Sequence, residues 1–340
     1  MHSNKRREPE KRHAWPDRRM FMLAWSCLLP MLATCAVAAR AEDYPARPVR
    51  LIVDSAPGSA VDTSARIIAE GLARLWGQQV VTINQPGGGG AIAVRAAAAA
   101  APDGYTLAMP ALSAFVARPG RVANLPIQVP RDFVPIGYLT GAPMFLTAAP
   151  SLGVKSLPDL IALAKRWPGE LAYGTNGAGR LTHLTGELLQ QRAGIKLLMV
   201  PYSGGTARVL TDVMGGRIAL LFESYSGVAS AVATGTVRPL AIAAHERLAR
   251  FPDLPTVAET LPGFEAVGWQ VLVAPAGTPD AVVRKVNADL NKVLADAEVR
   301  RRLAEIGRYE RPMSPAETLA FIHSEQQRWG PIVEQITAVH

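Results

Sequence analysis

An α/β fold made of two similar units is what this sequence predicts, on three observations. Short β-branched runs alternate with segments of helical spacing between residues 49 and 109, in the order β-α-β-α-β. A comparable alternation begins again near residue 157. In each unit one strand also ends in a loop of small residues just before a helix: "SAPGSA", residues 55–60, and "TNGAGR", residues 175–180. Such loops occur where backbone turns sharply or where a ligand must approach main-chain amides. The first amides of a helix lack intrahelical partners and carry partial positive charge, so a bare loop before them is a possible anion seat. One such loop reads equally well as a plain turn. Two of them at equivalent junctions point to a shared cleft.

The elements follow in order. "VRLIV", from Val49 to Val53, is too short and apolar to be anything but a buried strand. After the first loop, Ala65, Ile68, Ala69, Leu72 and Leu75 recur at helical spacing, Asp62 is placed to cap the helix, and Gly77 is its stop. "QVVTIN" and "YTLAM" are further strands around an Ala-rich helix that follows four glycines, an order that argues for parallel pairing with crossovers. "DFVPIGYLTGAPMFLTAAP" holds one or two strands and is a candidate crossing between domains. "SLPDLIALAKRWPGE" is a helix with Ser156 and Asp159 at its start. The stretch "IKLLMVPYSGGTARVLTDVMGGRIALLFES" supplies strand, glycine loop, helix and strand, and "GTVRPLAIAAH" adds another strand. "WQVLVAPAGTP" is a strand suited to carry the chain back to the first domain, and the remainder is helical. Ser314, Pro315 and Glu317 stand in the positions of a capping box.

Composition narrows the function. The chain has 340 residues, enough for two ordinary domains, and 49% hydrophobic against 6% aromatic content suits an Ala-, Val- and Leu-rich α/β protein. Its formal charge of +8 is concentrated at the start. Eight Lys and Arg fall within the first 41 residues; without that segment 28 basic and 25 acidic residues remain, a balance too weak to imply nucleic acid. The segment reads as an export signal, with a basic region, the apolar run "MFMLAWSCLLPMLATCAVAA" and small residues for cleavage near Ala38 or Ala41. A membrane anchor is the alternative, and "RRMFML" loosely resembles a twin-arginine signal. Both cysteines, Cys27 and Cys35, lie inside it, so a processed chain has no disulfide and no thiolate.

Reactive chemistry is hard to assemble from what remains. Gly88, Gly90 and Ala93 match a dinucleotide-loop spacing, but the next strand lacks the acidic residue that holds the ribose. There is no phosphate-cradling G-x-x-x-x-G-K-[ST] sequence and no G-x-S-x-G elbow. His183 and Glu187 lie one helical turn apart without an evident third ligand, which favours packing over metal binding. The expectation is therefore a polar cleft with no catalytic residue, metal or cofactor: a binding site.

At this point the residues resemble a known family. "APGSAVDTSAR", "INQPGGGGAIAV", "GTNGAGRLTHLTGELL", "VPYSGG", "MGGRIALLF", "LPTVAETLPGFE" and "LVAPAGTP", in this order, are similar to Bug-type periplasmic solute-binding receptors of the tripartite tricarboxylate transporter system. The resemblance implies a two-domain periplasmic binding protein, a Venus flytrap of type II-like build, with each domain a mainly parallel sheet flanked by helices. It implies domain 1 over residues 42–145, domain 2 over 146–265, and a return to domain 1 over 266–340. It also implies capture of a small carboxylate and delivery to membrane transporter subunits, by a monomer. Carried over, the ligand-binding positions are Ser55, Ala56, Pro57, Gly58, Ser59, Ala60 and Asp62 in the first loop. In the facing loop they are Thr175, Asn176, Gly177, Gly179, Arg180 and His183, joined by Tyr202, Ser203, Gly204, Gly205 and Glu223. The chain departs from the family pattern at Ser55, Ser59, Ala60 and Val61, at Arg180 where a small hydroxyl is usual, and at Glu223 where an Asp is usual. An exported enzyme acting on a small carboxylate, or a sensor for a membrane signalling partner, is the alternative reading.

Overall fold

The computed structural model describes residues 44–87, 90–116, 127–177, 179–202, 206–248 and 250–338. The expected export signal lies outside these residues, as do Ser203, Gly204 and Gly205. Among the described residues no helix is long and apolar enough to cross a membrane.

The first unit is laid down as the alternation requires. Strand β1 (Val49–Val53) pairs in parallel with β2 (Val80–Asn84) on one side and β3 (Thr106–Met109) on the other. Helix α1 (Ala60–Trp76) links β1 to β2, and α2 (Ala91–Ala98) links β2 to β3. Ala65, Ile68, Ala69 and Leu72 of α1 are buried as their spacing demands, but Leu75, the last residue but one, is 46% exposed. Gly77 ends the helix with φ +63, in the left-handed region where a Cβ is penalised. A short helix α3 (Leu112–Val116) follows β3.

The second unit repeats the scheme. Helix α4 (Leu157–Arg166) precedes β5 (Ala172–Thr175), which pairs in parallel with β6 (Leu198–Pro201) and β7 (Leu220–Ser224). Helices α5 (Leu181–Ala193) and α6 (Thr206–Met214) make the connections. A helix not anticipated from the sequence, α7 (Tyr225–Ala233), leads to β8 (Arg238–Ile242). Its "YSGVASAVA" is small and weakly periodic, so it carries little helical signal of its own.

Two long strands join the units into one nine-stranded sheet. The candidate crossing is a single strand, β4 (Phe133–Ala148), of which every residue but Val134 is buried. Its first part runs antiparallel to β9 (Val267–Pro275); its last part, Met144–Ala148, runs antiparallel to β7, with β8 also paired there. Parallel pairing thus holds at both outer parts of the sheet, and the two crossing strands make the whole sheet mixed. A strand covered on both faces can be apolar throughout, which is how β4 and β9 read.

The C-terminal helices return to the first unit. The expected helical end is broken at Asp296, which closes α8 (Asp280–Ala295) and caps α9 (Ala297–Glu305) through its own carboxylate. Helix α10 (Pro315–Ala338) begins with the anticipated box: the Glu317 N–H donates to Ser314 Oγ at 3.2 Å and the Ser314 N–H to Glu317 Oε2 at 2.8 Å. The indoles of Trp269 on β9 and Trp329 on α10 both donate to Glu325 Oε2, at 2.8 and 3.1 Å, fastening the helix over the crossing.

Candidate functional site

The first loop turns on its own hydrogen bonds. Ser59, not Asp62, is the residue that caps α1: its Oγ accepts the Asp62 N–H at 3.2 Å. Asp62 reaches back instead, Oδ2 accepting from Gly58 N–H at 2.8 Å and from Arg66 Nε at 3.0 Å, while Oδ1 accepts from Asn84 Nδ2 at 2.8 Å. Burial would push the Asp62 carboxyl up, but Arg66, Asn84 and Gly58 together hold it below its usual value. Asp62 therefore braces the loop against α1 and β2. Ala56, Pro57 and Gly58 are exposed, Ser59 and Ala60 are half-buried, and the buried Ser55 Oγ has no hydrogen-bond partner. A groove of about 570 Å³ opens beside Pro57 and Gly58, between α1 and Arg302–Ile306, without any wall from the second loop.

The second loop is also internally braced. Asn176 N–H donates to Thr182 Oγ1 at 3.0 Å, Gly177 N–H to Thr175 Oγ1 at 3.2 Å, and Gly179 N–H to His183 Nδ1 at 3.0 Å. Three amides expected to be open to a ligand are thus already used. The buried His183 is held between Gly179 and Glu187, whose carboxylate lies 3.6 Å from His183 Nε2, which accounts for the pair without a metal. Among the described residues no group of three His, Cys, Asp or Glu is placed to hold a metal ion.

Glu223 has hydrogen-bond partners of its own. Its Oε2 accepts from Asn176 Nδ2 at 2.8 Å and from Thr206 Oγ1, and its Oε1 accepts from the Ser224 N–H at 2.7 Å and from Ser224 Oγ. With both oxygens bonded, it ties Asn176 to Thr206 at the start of α6. Tyr202 is half-buried and donates to Asp212 Oδ2, a bond that with burial pushes its hydroxyl up to about 12.

What remains open is a set of helix starts. Helices α1, α4, α9 and α10 are capped by Ser59, Ser156, Asp296 and Ser314, while α8 begins at Pro279 without a side-chain cap. Helices α2, α5 and α7 begin at Gly90, Arg180 and Ser224 with no side-chain cap at all. Arg180 stands at the cap position itself, one residue before the helix, and is exposed; its backbone bonds to Gly177, His183 and Leu184, but among the described residues its guanidinium makes no hydrogen bond or ion pair. Strand β9 brings the two loops together. Leu181 packs against Gly268, where a Cβ would lie 3.3 Å from Leu181 Cδ2, and two residues further Gln270 bridges to Ala111 beyond β3. The Ala111 N–H in turn donates to Asp54 Oδ2 at 2.8 Å, at the end of β1.

Asp54, Thr182 and Thr206 were not among the residues singled out from the sequence. Asp54 carried a usable signal, since an acid directly after an apolar strand stands at the carboxyl edge of a parallel sheet, where α/β proteins bind ligands. The threonines carried none, because their hydroxyls act through the turn geometry.

The comparisons with known proteins agree with this architecture. Protein BugT of Bordetella pertussis is 37% identical over 311 residues, covering 90% of this chain and 95% of that one. A solved structure of Rpa4515 from R. palustris with adipate superimposes with a TM-score of 0.75 at 30% identity, over 86% of this chain and 98% of the other. MatC from Rhodopseudomonas palustris with bound malate gives a TM-score of 0.71 at 32% identity, over 85% and 100%. The periplasmic binding protein BugD gives 0.72 at 28%, over 86% and 99%. The chain has the two-domain fold of these binding proteins, and its family comprises solute-binding receptors, not enzymes. Residues 64–338 match the model of the tripartite tricarboxylate transporter family receptor, and the chain belongs to that family.

Proposed function

We propose that this chain is an extracytoplasmic receptor that captures a small carboxylate by domain closure and delivers it to the membrane subunits of a tripartite tricarboxylate transporter. The observation that carries this reading is the start of α5, which no side chain caps, with the exposed guanidinium of Arg180 beside it. Uncapped amides and a guanidinium both favour a carboxylate, the latter in a bidentate, charge-assisted way. The adipate and malate held by the two R. palustris proteins carry this group. Residues 42–145 with 266–340 form one moving body and residues 146–265 the other, hinged where β4 and β9 cross. Residues 1–41 direct export and are removed near Ala38 or Ala41, leaving a periplasmic monomer.

Thermal unfolding against a panel of organic acids tests the ligand class. A ligand that binds only the folded chain adds roughly 2.7 kcal/mol at a hundred times its dissociation constant. A melting temperature raised by neutral sugars or cations, and by no organic acid, would exclude the carboxylate reading. Mass spectrometry of periplasmic material should find a mature N-terminus at Ala39 or Glu42.

A further inference from the structure

Among the described residues, one carboxylate beside the site has a single partner from another residue. Asp54 is half-buried at the end of β1, and the Ala111 N–H is the one group of another residue that hydrogen-bonds to it among the described residues. Asp62 and Glu223, by contrast, have both oxygens occupied from within the protein. Gly90, before the uncapped α2, lies so close that a Cβ there would sit 2.9 Å from Asp54 Oδ2, so that side of the carboxylate is closed. Burial raises the Asp54 carboxyl, while the Ala111 amide and the charge of Arg180 act against that. Asp54 and Arg180 flank the same short run of β9, through Leu181 on Gly268 and Ala111 on Gln270.

A ligand seated between these loops meets a cation at one end and a carboxylate at the other. A dicarboxylate would place its second negative charge next to Asp54, and two carboxylates that close cannot both stay ionised without cost. An ammonium there gains a charge-assisted hydrogen bond instead. Resting on the carboxylate reading above, we infer that Asp54 determines specificity: the receptor prefers an amino carboxylate, its carboxylate toward Arg180 and its ammonium toward Asp54, over the dicarboxylate of equal length. The preference differs from the diacids bound by the R. palustris relatives.

Calorimetric titration of the purified protein with matched pairs tests it: 4-aminobutyrate against succinate, 5-aminovalerate against glutarate, and 6-aminohexanoate against adipate. The wild type is expected to bind the amino member of at least one pair tenfold or more tightly than its diacid. Asp54→Asn keeps an acceptor for Ala111 but removes the charge, and should cut that ratio at least tenfold. Arg180→Gln should weaken both members together. Diacids preferred in every pair by the wild type would overturn the inference whether or not the variants fold. A ratio unchanged by Asp54→Asn would also overturn it, while the carboxylate reading stood. If none of the six binds and no other carboxylate does, both readings fall.

Discussion

Asn176 Nδ2 donates to Glu223 Oε2 at 2.8 Å, across 47 residues of sequence, and so ties the bare second loop to the end of β7. The buried carboxylate is also filled by Thr206 and Ser224. Replacing it by an apolar group leaves several buried donors unpaired, each costing roughly 1–3 kcal/mol. Glu223→Leu is therefore expected to lower stability by about 2–5 kcal/mol in chemical denaturation. Glu223→Gln, which keeps one acceptor oxygen, should lose less than half as much. Equal losses would mean that the carboxylate is not the hub of this network.

Gly177 and Gly179 differ in what a side chain would cost. Both have positive φ, +119 and +74, but a Cβ at Gly179 meets nothing within 4 Å, and at Gly177 only Arg180 Cγ at 3.7 Å. Strain, not collision, governs both sites. Gly179 lies near the left-handed well that other residues tolerate for about 1–2 kcal/mol; Gly177 lies beyond it. Gly177→Ala should destabilise more than Gly179→Ala, by roughly 1–3 kcal/mol against wild type. Paired denaturation curves in which Gly179→Ala is the worse variant would contradict this account of the loop.

Asp289 on α8 supplies a pH-dependent contribution to stability. Burial would raise its carboxyl, but Lys285 at 2.7 Å, the Trp76 indole at 2.9 Å and Lys292 at 3.1 Å bring it below the usual value. A folded-state pKa below the unfolded one stabilises the protein above the unfolded pKa of about 4, and that contribution is lost as pH falls through the folded value. The stability gap between wild type and Asp289→Asn should be largest near neutral pH and shrink as pH drops below about 4. A gap that widens in acid would reverse the sign and exclude the ion cluster as its cause.

Much of the fold was readable before any coordinates. The runs at Val49–Val53 and Leu220–Ser224 are strands, Gly77 stops its helix, and Ser314 with Glu317 forms its box, because each depends on neighbours a few residues away. The site was readable as two loops but not as a set of roles. The hydrogen bonds that Asp62 and Glu223 accept were not readable, since the donors, Asn84 and Asn176 among them, come from other elements of the fold. Leu75 fitted the helical spacing yet is exposed.

The sequence by itself determined most of the elements, α7 excepted, with their alternation, the two bare loops and the family resemblance, all of them local patterns or strings of residues. Only the tertiary structure decided that β4 runs unbroken through both units, that Gly179 gives its amide to His183, and that the Ala111 amide closes on Asp54. These depend on pairings between residues tens to more than a hundred positions apart or on the exact turn of a loop. A hydrogen bond or a charge pair acts over a few ångströms of space, and sequence separation carries no information about that distance.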